Sequence, residues 1–437
     1  MGDLGAWLKH AEPMLHETRA GVVTERGRFS WSALLEKAQR IAAELPDPPH
    51  GWVVPGDGGE RSIVALLALG LREPSPRWVL GDPASWCADG AVTAADGALT
   101  AAGAHTAPPS DIDGPTYATA SSGSTGRPKL LFGRPHRMPS AVELYVDDIP
   151  EYASAEVFAT SAAIDFAAAF YMVVAPAMML GRDLVLFRPR SWQVAIPELA
   201  GRPGVCLAPP AITVLGARVA AGRRSFRETW FVPAGGGLTV ERAEHISAGF
   251  PGSDLLTMLG STETGILTLD RGVRDDGYVG SPLPGKPVWL ENVGPDGVGT
   301  LWTKGPDTRF AATREELTAR ADGAVSAGDL AHAAGEGFVL DGRTEDLVKV
   351  DGVSVYPREI TTAVRALAGV EDASVSVERS RNADRVTVIA VGDVSEKRVR
   401  EACRRLPTPV TPHRVVCRPA DKAAYDARGK VLRTEKA

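Results

Sequence analysis

Cysteine and net charge are both scarce in this sequence of 437 residues. Its four cysteines have no close pair and no histidine at metal-ligand spacing. This pattern argues against a disulfide framework and a zinc site, and it fits a reducing cytoplasm. Because the net charge is only −6, neither a nucleic-acid-binding surface nor a basic membrane-binding face is expected.

Long apolar runs are missing as well. No stretch reaches the ~18 apolar residues of a membrane span, and no basic segment followed by an apolar core opens the chain. We therefore expect a protein that is neither anchored nor secreted and that acts on small molecules or single proteins. The chain exceeds the size at which one hydrophobic core keeps growing, so at least two domains are expected.

Helical apolar spacing alternates with short strand-like segments along most of the chain. Residues 30–46 have apolar positions three and four apart after Ser30 or Ser32, either of which can cap a helix. Further helices are predicted for residues 60–72 and 210–221. This alternation predicts a layered α/β domain with parallel strands.

The C-terminal part has a more compact pattern. A helix is predicted at residues 357–367, and strand-like segments follow at residues 373–378 and 385–391. We therefore predict a large N-terminal α/β domain in residues 1–343 and a small, mobile α+β domain in residues 344–437.

Residues 117–129 concentrate groups that bind phosphate. They read Tyr-Ala-Thr-Ala-Ser-Ser-Gly-Ser-Thr-Gly-Arg-Pro-Lys, which brings hydroxyls, glycine N–H groups and the Lys129 ammonium into one segment. A flexible linker is the alternative. The linker is less favoured, because the run is short, ends in Pro-Lys and lies between apolar segments.

This segment matches neither the P-loop nor the Gly-x-Gly-x-x-Gly template. It resembles the Ser/Thr-Ser-Gly-Ser/Thr-Thr-Gly-x-Pro-Lys signature of the adenylate-forming superfamily, which includes acyl-CoA synthetases, adenylation domains of peptide synthetases and luciferases. The resemblance implies that these residues bind the phosphates of ATP: Ser121, Ser122, Gly123, Ser124, Thr125, Gly126 and Lys129.

Two further segments resemble nucleotide-binding motifs of this superfamily. An apolar segment runs into a triple glycine, as in the family strand whose backbone lies against adenine, although an ordinary tight loop is the alternative. Residues 257–263 resemble the Tyr-Gly-Ser/Pro-Thr-Glu motif. The nucleotide contacts that these resemblances imply are Gly235, Gly236, Gly237, Leu259, Gly260 and Ser261.

The second of these motifs also implies two catalytic residues. Thr262 would contact a phosphate and Glu263 would bind Mg²⁺, a hard cation that prefers carboxylate and phosphate oxygens. Leu259 departs from the family, in which an aromatic side chain usually stacks on the adenine. We therefore expect apolar contact and the glycines to hold the base, with an effect on nucleotide affinity.

Four residues in the C-terminal third of the chain complete the resemblance. Asp329, in a Thr-Gly-Asp-like motif, would accept hydrogen bonds from both ribose hydroxyls, and Arg343 would contact ribose or phosphate. Glu345 falls on the hinge about which the small domain turns, and Lys430 would stabilise the charge that develops between carboxylate and α-phosphate. The alternatives are a charged surface turn and a basic tail, which the order of the motifs disfavours.

Residues 162–180 form an apolar run that is expected to fold as a buried helix, and residues 162–170 within it resemble the family helix that lines the acyl pocket. Here Asp165 and Phe166, together with Gly260, would contact the substrate, and Asp165 falls where amino-acid-activating domains hold an ammonium group. A carboxylate in an apolar helix needs a partner. Asp165 therefore either binds a substrate amino group or has a structural role as a helix cap or as the partner of an arginine.

The resemblance implies ATP- and Mg²⁺-dependent activation of a carboxylic acid, amino-bearing or aryl, with release of pyrophosphate. The acyl group would pass to a thiol of CoA or to the phosphopantetheine of a separate carrier protein, since no carrier segment follows Lys430. One alternative is a ligase that uses an amine or hydroxyl acceptor. Another is a non-catalytic nucleotide-binding relic, which the short N-terminal part allows and the retention of Lys430 and Glu263 disfavours.

Overall fold

The structure is a computed structural model that describes most of the chain. The described residues are 8–56, 59–87, 91–95, 97–108, 114, 116–121, 129–220, 225–236, 238–274, 277–309, 318–320, 322–344, 348–350, 353–355, 357–378, 385–406 and 409–419. None of the helices within these ranges is both long and apolar enough to span a bilayer.

The helices and strands alternate in the first half of the chain, and strands dominate the second half. The α-helices are α1 (Glu12–Glu17), α2 (Trp31–Glu44), α3 (Glu60–Leu71), α4 (Pro83–Trp86), α5 (Met138–Asp148), α6 (Pro150–Ser154), α7 (Ala167–Ala169), α8 (Ala175–Leu180), α9 (Trp192–Leu199), α10 (Pro210–Ala220), α11 (Val240–Gly249), α12 (Pro357–Arg365) and α13 (Glu396–Arg404). The first strands are β1 (Gly21–Thr24), β2 (Gly27–Ser30), β3 (Trp52–Val54), β4 (Trp78–Leu80), β5 (Thr93–Ala94), β6 (Leu99–Ala101), β7 (Tyr117–Ser121), β8 (Lys129–Gly133), β9 (Val157–Thr160), β10 (Asp183–Leu186), β11 (Gly204–Ala208), β12 (Thr229–Pro233) and β13 (Asp254–Ser261). The remaining strands are β14 (Gly265–Arg271), β15 (Ser281–Pro282), β16 (Val288–Glu291), β17 (Gly299–Thr303), β18 (Thr318–Ala319), β19 (Val325–Ser326), β20 (Asp329–Ala334), β21 (Gly337–Arg343), β22 (Val348–Val350), β23 (Val353–Val355), β24 (Val370–Glu378), β25 (Arg385–Gly392) and β26 (Arg414–Arg418).

The largest sheet within the described residues has nine strands in the order β15-β14-β13-β12-β11-β9-β10-β1-β2. Its centre, from β13 to β1, is parallel, and antiparallel strands flank it on both sides. Every residue of β1, β9, β10 and β11 is buried. Strands with helices on both faces have this property, which confirms the predicted parallel α/β architecture.

Helix α2 shows how local sequence sets the elements of this domain. The Ser30 hydroxyl accepts a hydrogen bond from the Ala33 N–H, so Ser30 is the N-cap, and the helix ends at Glu44 before a proline-rich segment. Its buried residues, including Trp31 and Leu35, belong to a hydrophobic core that also contains Val22 of β1 and Trp52 of β3. The predicted helix and one of its two predicted caps are therefore confirmed.

Two further sheets complete the large part of the chain. One has the order β5-β6-β3-β4-β7-β8, in which β3, β4 and β7 are parallel, and its inner face packs on α2 and α3. The other is antiparallel, with the order β18-β19-β17-β20-β21 and with β16 paired to β17. The mixed α/β class predicted from the sequence is confirmed.

The C-terminal part forms a separate unit. Strands β24, β25 and β26 make a three-stranded sheet, and α12 and α13 pack on it around a core that includes Ile360, Val388 and Cys403. This is the small α+β unit expected from the sequence. The boundary at residue 343, which coincides with the end of β21, stays a prediction.

The predicted helix at residues 162–180 begins later than expected. Residues 163–166 form a turn, α7 starts at Ala167, and a π-helical turn (Phe170–Val174) joins it to α8. The Ala175 N–H donates to the Phe170 carbonyl oxygen, and Pro176 follows. Because proline clashes with the carbonyl four residues earlier, the wider π turn accommodates it inside a continuous helix.

Candidate active site

The carboxyl ends of the parallel strands lie together at one edge of the largest sheet. The paired residues Thr160, Leu207 and Val232 stand side by side on β9, β11 and β12. After Ala234, the first two residues of the triple glycine, Gly235 and Gly236, follow β12 at this edge. Ligands of open α/β sheets bind beyond the carboxyl ends of the strands. The predicted adenine-binding turn therefore lies where the topology favours a ligand.

The glycines of this turn differ in what the protein requires of them. Gly235 has a φ of +86°, which favours glycine. At Gly236, a Cβ would lie 3.8 Å from Cδ of Pro210, an ordinary contact. Folding alone therefore leaves room for a side chain at position 236, and a ligand that approaches the backbone closely would explain its absence. Gly237 lies outside the described residues.

The predicted phosphate-binding segment is closed at its base. Ser121 and Lys129 are directly paired across the antiparallel strands β7 and β8. Since β7 is parallel to β4, Ser121 lies at the carboxyl edge of the second sheet. The rest of the predicted phosphate contacts, Ser122, Gly123, Ser124, Thr125 and Gly126, lie outside the described residues.

The turn between β13 and β14 presents the two predicted catalytic residues. The Ser261 hydroxyl accepts hydrogen bonds from the N–H groups of Glu263 (3.2 Å) and Thr264 (3.1 Å). In return the Ser261 N–H donates to the Thr264 hydroxyl at 3.1 Å. These bonds close the turn from inside and leave Thr262 and Glu263 half-exposed at its tip.

Leu259 and Gly260 lie just before this turn. Leu259 is partly buried and packs against the apolar cluster of the antiparallel sheet, which includes Leu267 and Phe338. A Cβ on Gly260 would lie 2.4 Å from the Gly265 carbonyl oxygen, so the turn itself requires a glycine there. The predicted adenine and substrate contacts of these two residues stay predictions.

Asp329 and Arg343 are brought together by the register of β20 and β21, which pairs them directly. Arg343 Nε donates to Asp329 Oδ1 at 2.6 Å, and the Asp329 side chain is 2% exposed. The second carboxylate oxygen, Oδ2, is buried and has no hydrogen-bond partner within the described part of the chain. A buried acceptor without a donor is costly, and hydroxyl groups of a ligand would satisfy it.

Asp165 is not inside a helix, as the sequence suggested, but in the turn before it. Phe166, not Asp165, occupies the N-cap position of α7. A Cβ on Gly56 would lie 2.4 Å from the Asp165 Cγ, and the Ile164 N–H donates to the Gly56 carbonyl oxygen at 3.1 Å. Asp165 and Phe166 are both half-exposed, and the Asp165 carboxylate packs against the segment that follows β3.

The predicted hinge Glu345 and the predicted catalytic lysine Lys430 lie outside the described residues. Their assigned roles therefore stay predictions from the sequence resemblance.

A buried ion pair beneath the β13–β14 turn was missed by sequence reasoning. Lys286 Nζ lies 2.7 Å from Asp307 Oδ1, and both side chains are fully buried. Burial lowers the pKa of Lys286, and the neighbouring Asp307 opposes this shift. The sequences Gly-Lys-Pro and Gly-Pro-Asp around them are typical of exposed turns, so nothing in a single sequence marks them as a pair.

The described residues can be tested for their fit to Mg²⁺. They contain no group of three or more His, Cys, Asp or Glu side chains placed to hold a metal ion. Glu263 is a single half-exposed carboxylate. Proteins usually hold Mg²⁺ with one or two carboxylates plus substrate phosphates, so the turn fits a metal that arrives together with a nucleotide.

Comparison with known proteins identifies the class. Residues 61–309 match the family described as AMP-binding enzyme, and the chain belongs to this family. The predicted relationship to the adenylate-forming superfamily is confirmed.

Individual relatives include two curated proteins and a solved structure. Acyl-CoA ligase clz12 of Cochliobolus lunatus is 31% identical over 132 residues, which are 27% of this chain and 37% of that protein. The p-hydroxybenzoic acid–AMP ligase FadD22 of Mycobacterium marinum is 29% identical over 348 residues, 74% of this chain and 48% of that protein. The aligned parts thus span a third to a half of these curated relatives.

The solved structure is O-succinylbenzoate coenzyme A synthetase (MenE) from Bacillus subtilis in complex with AMP. It matches with a TM-score of 0.71 at 17% sequence identity and covers 99% of this chain and 98% of that one. At this identity the match shows the fold, which is that of the adenylate-forming enzymes.

Proposed function

We propose that this protein activates a carboxylic acid with ATP to an acyl-adenylate and then transfers the acyl group to a thiol. The carrying observation is the Asp329–Arg343 pair. Arg343 fixes one carboxylate oxygen of Asp329, and the other is buried without a hydrogen-bond donor among the described residues. A ribose offers two adjacent hydroxyls to such an acceptor. Membership of the AMP-binding enzyme family supports the same nucleotide.

The first step joins the acid to the nucleotide. A carboxylate oxygen of the acid attacks the α-phosphorus of ATP and forms an O–P bond. The bond from the α-phosphorus to the oxygen that bridges to the β-phosphorus breaks, and pyrophosphate leaves. No covalent enzyme intermediate is needed, so the protein contributes mainly position and charge.

The residues predicted to contact phosphate, metal and ribose, and the predicted catalytic lysine, have roles in that step. Thr262, Lys129 and the glycine- and serine-rich segment would hold the phosphates, and Lys430 would neutralise charge at the reacting oxygens. Glu263 would be the protein ligand of Mg²⁺, which when bound neutralises charge on the phosphate oxygens. Asp329 and Arg343 would keep the ribose, and with it the α-phosphorus, in place.

The second step transfers the acyl group. A thiol gives up its proton to solvent, its sulfur attacks the carbonyl carbon of the adenylate to form a carbon–sulfur bond, and AMP leaves with the electrons of the carbon–oxygen bond that breaks. The name of the relative clz12, an acyl-CoA ligase, supports CoA as the acceptor. A carrier-bound phosphopantetheine has the same thiol chemistry. Thioester formation with CoA and with a loaded carrier, followed by mass spectrometry, separates the two acceptors.

The acid is proposed to be amino-bearing or aromatic. The name of FadD22, a p-hydroxybenzoic acid–AMP ligase, supports an aryl acid. An amino group on the substrate would form a charge-assisted hydrogen bond with the half-exposed carboxylate of Asp165. The contact of Asp165 with Gly56 supports the structural alternative.

Pyrophosphate release over a panel of acids tests these proposals. The panel pairs each amino acid with its deamino analogue, for the wild type, Asp165→Ala and the exposed control Asp341→Asn. If the wild type prefers amino acids, and if Asp165→Ala loses this preference while Asp341→Asn keeps it, then Asp165 is supported as the ligand of the substrate ammonium group. Equal or faster reaction of aryl acids makes Asp165 structural. Binding of MgATP without pyrophosphate release from any acid would contradict the enzyme and favour a nucleotide-binding relic.

A further inference from the structure

The turn that presents Thr262 and Glu263 is held from beneath at its C-terminal side. The Arg309 N–H donates to the Glu263 carbonyl oxygen at 2.9 Å. One residue further, Lys286 Nζ donates to the Thr264 carbonyl oxygen at 2.6 Å. The backbone of Glu263 and that of Thr264 are therefore each held by a residue that lies 22 or more positions later in the sequence.

Asp307 holds the next part of the same turn. Its Oδ2 accepts hydrogen bonds from the Ile266 N–H at 3.1 Å and from the Tyr145 hydroxyl at 3.0 Å. Lys286 Nζ lies 2.8 Å from the same oxygen. One buried carboxylate thus connects the start of β14 to α5 and to Lys286.

Gly265 shows independently that the turn is fitted to this carboxylate. Its φ is +64°, and a Cβ at this position would lie 2.0 Å from Asp307 Oδ2. No side chain can therefore stand between the turn and Asp307. The approach is closer than packing of an ordinary residue would allow.

The burial of the pair indicates what it contributes. An ion pair that is withdrawn from water gains little net stability, because desolvation of both charges offsets their attraction. Its best-attested contribution is to fix one arrangement among alternatives. Here Lys286 donates to a backbone carbonyl oxygen of the turn and Asp307 accepts from a backbone N–H at its end, so the groups that the pair fixes include backbone atoms of the turn.

We propose that Lys286 and Asp307 are positioning residues that set the place of the Glu263 carboxylate for Mg²⁺-bound ATP. The inference rests on the proposed function, because it assigns a purpose to the turn only if Glu263 meets the metal. Neither side chain reaches the ligand, as both are fully buried. They act through the backbone of Thr264 and Ile266, which follows Glu263 in the turn.

Binding of ATP with and without Mg²⁺ tests the proposal. The variants are Lys286→Met, which keeps the length of the side chain, and Asp307→Asn, whose amide oxygen can still accept from the Ile266 N–H. The control is Glu151→Gln, which breaks the ion pair of another buried carboxylate with Arg271 at the far end of β14. Dissociation constants for ATP are measured by calorimetry in excess Mg²⁺ and in EDTA, after circular dichroism has verified folding.

We expect the variants to lose affinity for ATP mainly when Mg²⁺ is present. Lys286→Met should raise the Kd for MgATP about tenfold, as loss of a residue that orients a metal ligand typically does, and should change the Kd in EDTA less than about twofold. Asp307→Asn should have a smaller effect, and Glu151→Gln none. A Kd for MgATP equal to that of the wild type, or equal losses with and without Mg²⁺, would overturn the proposal.

Hydrogen exchange provides a readout that needs no nucleotide. Peptides covering residues 261–266 should exchange faster in Lys286→Met than in the wild type and in Glu151→Gln. Unchanged exchange there overturns the positioning role, even if the wild type binds MgATP. Faster exchange in a protein whose wild type binds no MgATP leaves the anchoring of the turn in place but refutes the proposed function and its link to the metal.

A charge-free pair covers the case in which Lys286→Met does not fold. Lys286→Met/Asp307→Leu removes both buried charges, which proteins often tolerate when volume is kept. This double variant lacks both anchors of the turn and should show the same selective loss of the Mg²⁺ effect. Wild-type affinity for MgATP in the double variant would refute the proposal.

Discussion

Arg242 of α11 and Asp372 of β24 form an ion pair that joins the large part of the chain to the small C-terminal unit. Nη2 of Arg242 lies 3.1 Å from Oδ1 of Asp372, and both side chains are less than a tenth exposed. Arg242 also donates to the Glu371 carbonyl oxygen. Arg365, within the small unit, lies 3.0 Å from the same carboxylate oxygen. If the small unit turns as a lid, this contact must break.

The pair predicts a measurable loss of stability. Arg242→Met should lower the free energy of unfolding by about 1–2 kcal/mol, because a buried bond is lost while Asp372 keeps Arg365. The matched control is Arg218→Met, which breaks an exposed pair with Glu371 between the same two parts of the chain and should cost less than about 1 kcal/mol. Urea unfolding measures both; equal effects would show that burial of the Arg242 pair contributes nothing.

Asp329 is predicted to bind the nucleotide. Asp329→Ala removes both oxygens and should weaken ATP binding by about tenfold or more, since charge-assisted hydrogen bonds to two hydroxyls are lost. Asp341→Asn, in an exposed pair with His332 on the same hairpin, should leave binding unchanged. Titration calorimetry reads out the affinity, and ATP affinity within twofold of the wild type in Asp329→Ala would exclude the ribose contact.

Tyr145 should make stability fall at high pH. The pKa of Tyr145 is raised well above its usual value, mainly because the phenol is buried and also because Asp307 lies beside it. The unfolded phenol loses its proton near pH 10, whereas the folded one keeps it, so the stabilisation is complete below about pH 10 and declines by up to ~1.4 kcal/mol per pH unit above it.

Tyr145→Phe removes the contribution of Tyr145 to the decline of stability above pH 10. It should cost about 1 kcal/mol at pH 7, where the hydrogen bond to Asp307 is lost, yet lose less stability than the wild type between pH 10 and pH 11. Urea midpoints at both pH values provide the comparison. Identical declines in the two proteins would mean that the folded phenol titrates like the unfolded one.

Gly56→Ala is expected to disturb the predicted acyl pocket alone. The new Cβ would meet the Asp165 Oδ1 at 2.6 Å, so the carboxylate must move. If Asp165 binds a substrate amino group, the KM for the amino acid should rise about tenfold, the value of one charge-assisted hydrogen bond, while the KM for MgATP stays within about twofold. Steady-state pyrophosphate release gives both constants; an unchanged KM for the acid would place the amino group elsewhere.

The sequence predicts those parts of the fold that depend on local pattern. Examples are helix α2 with its Ser30 cap and the α+β pattern around α12. They follow from residue spacing and capping over short segments and depend little on contacts with distant parts of the chain. The resemblance to the family predicts a nucleotide contact for Asp329 and another for Arg343, but it does not predict that the two residues pair. Their pairing appears only in the register of β20 and β21.

Other features depend on contacts between distant segments and could not be predicted. The helix in residues 162–180 starts late, because Ile164 bonds to Gly56 and holds the segment before Ala167 in a turn. Lys286 and Asp307 meet across 21 positions from two turn-like sequences. Burial of both charges is decided by the packing of β14 and α5 around them, which composition and periodicity do not encode.

The fit between Gly265, Lys286 and Asp307 also limits how this protein can evolve. A change at position 286 alone leaves a buried carboxylate uncompensated, and a side chain at position 265 collides with that carboxylate. Substitutions at these three positions are therefore expected to occur together. Relatives that lack the lysine should also lack the aspartate, and only among those should position 265 carry a residue other than glycine.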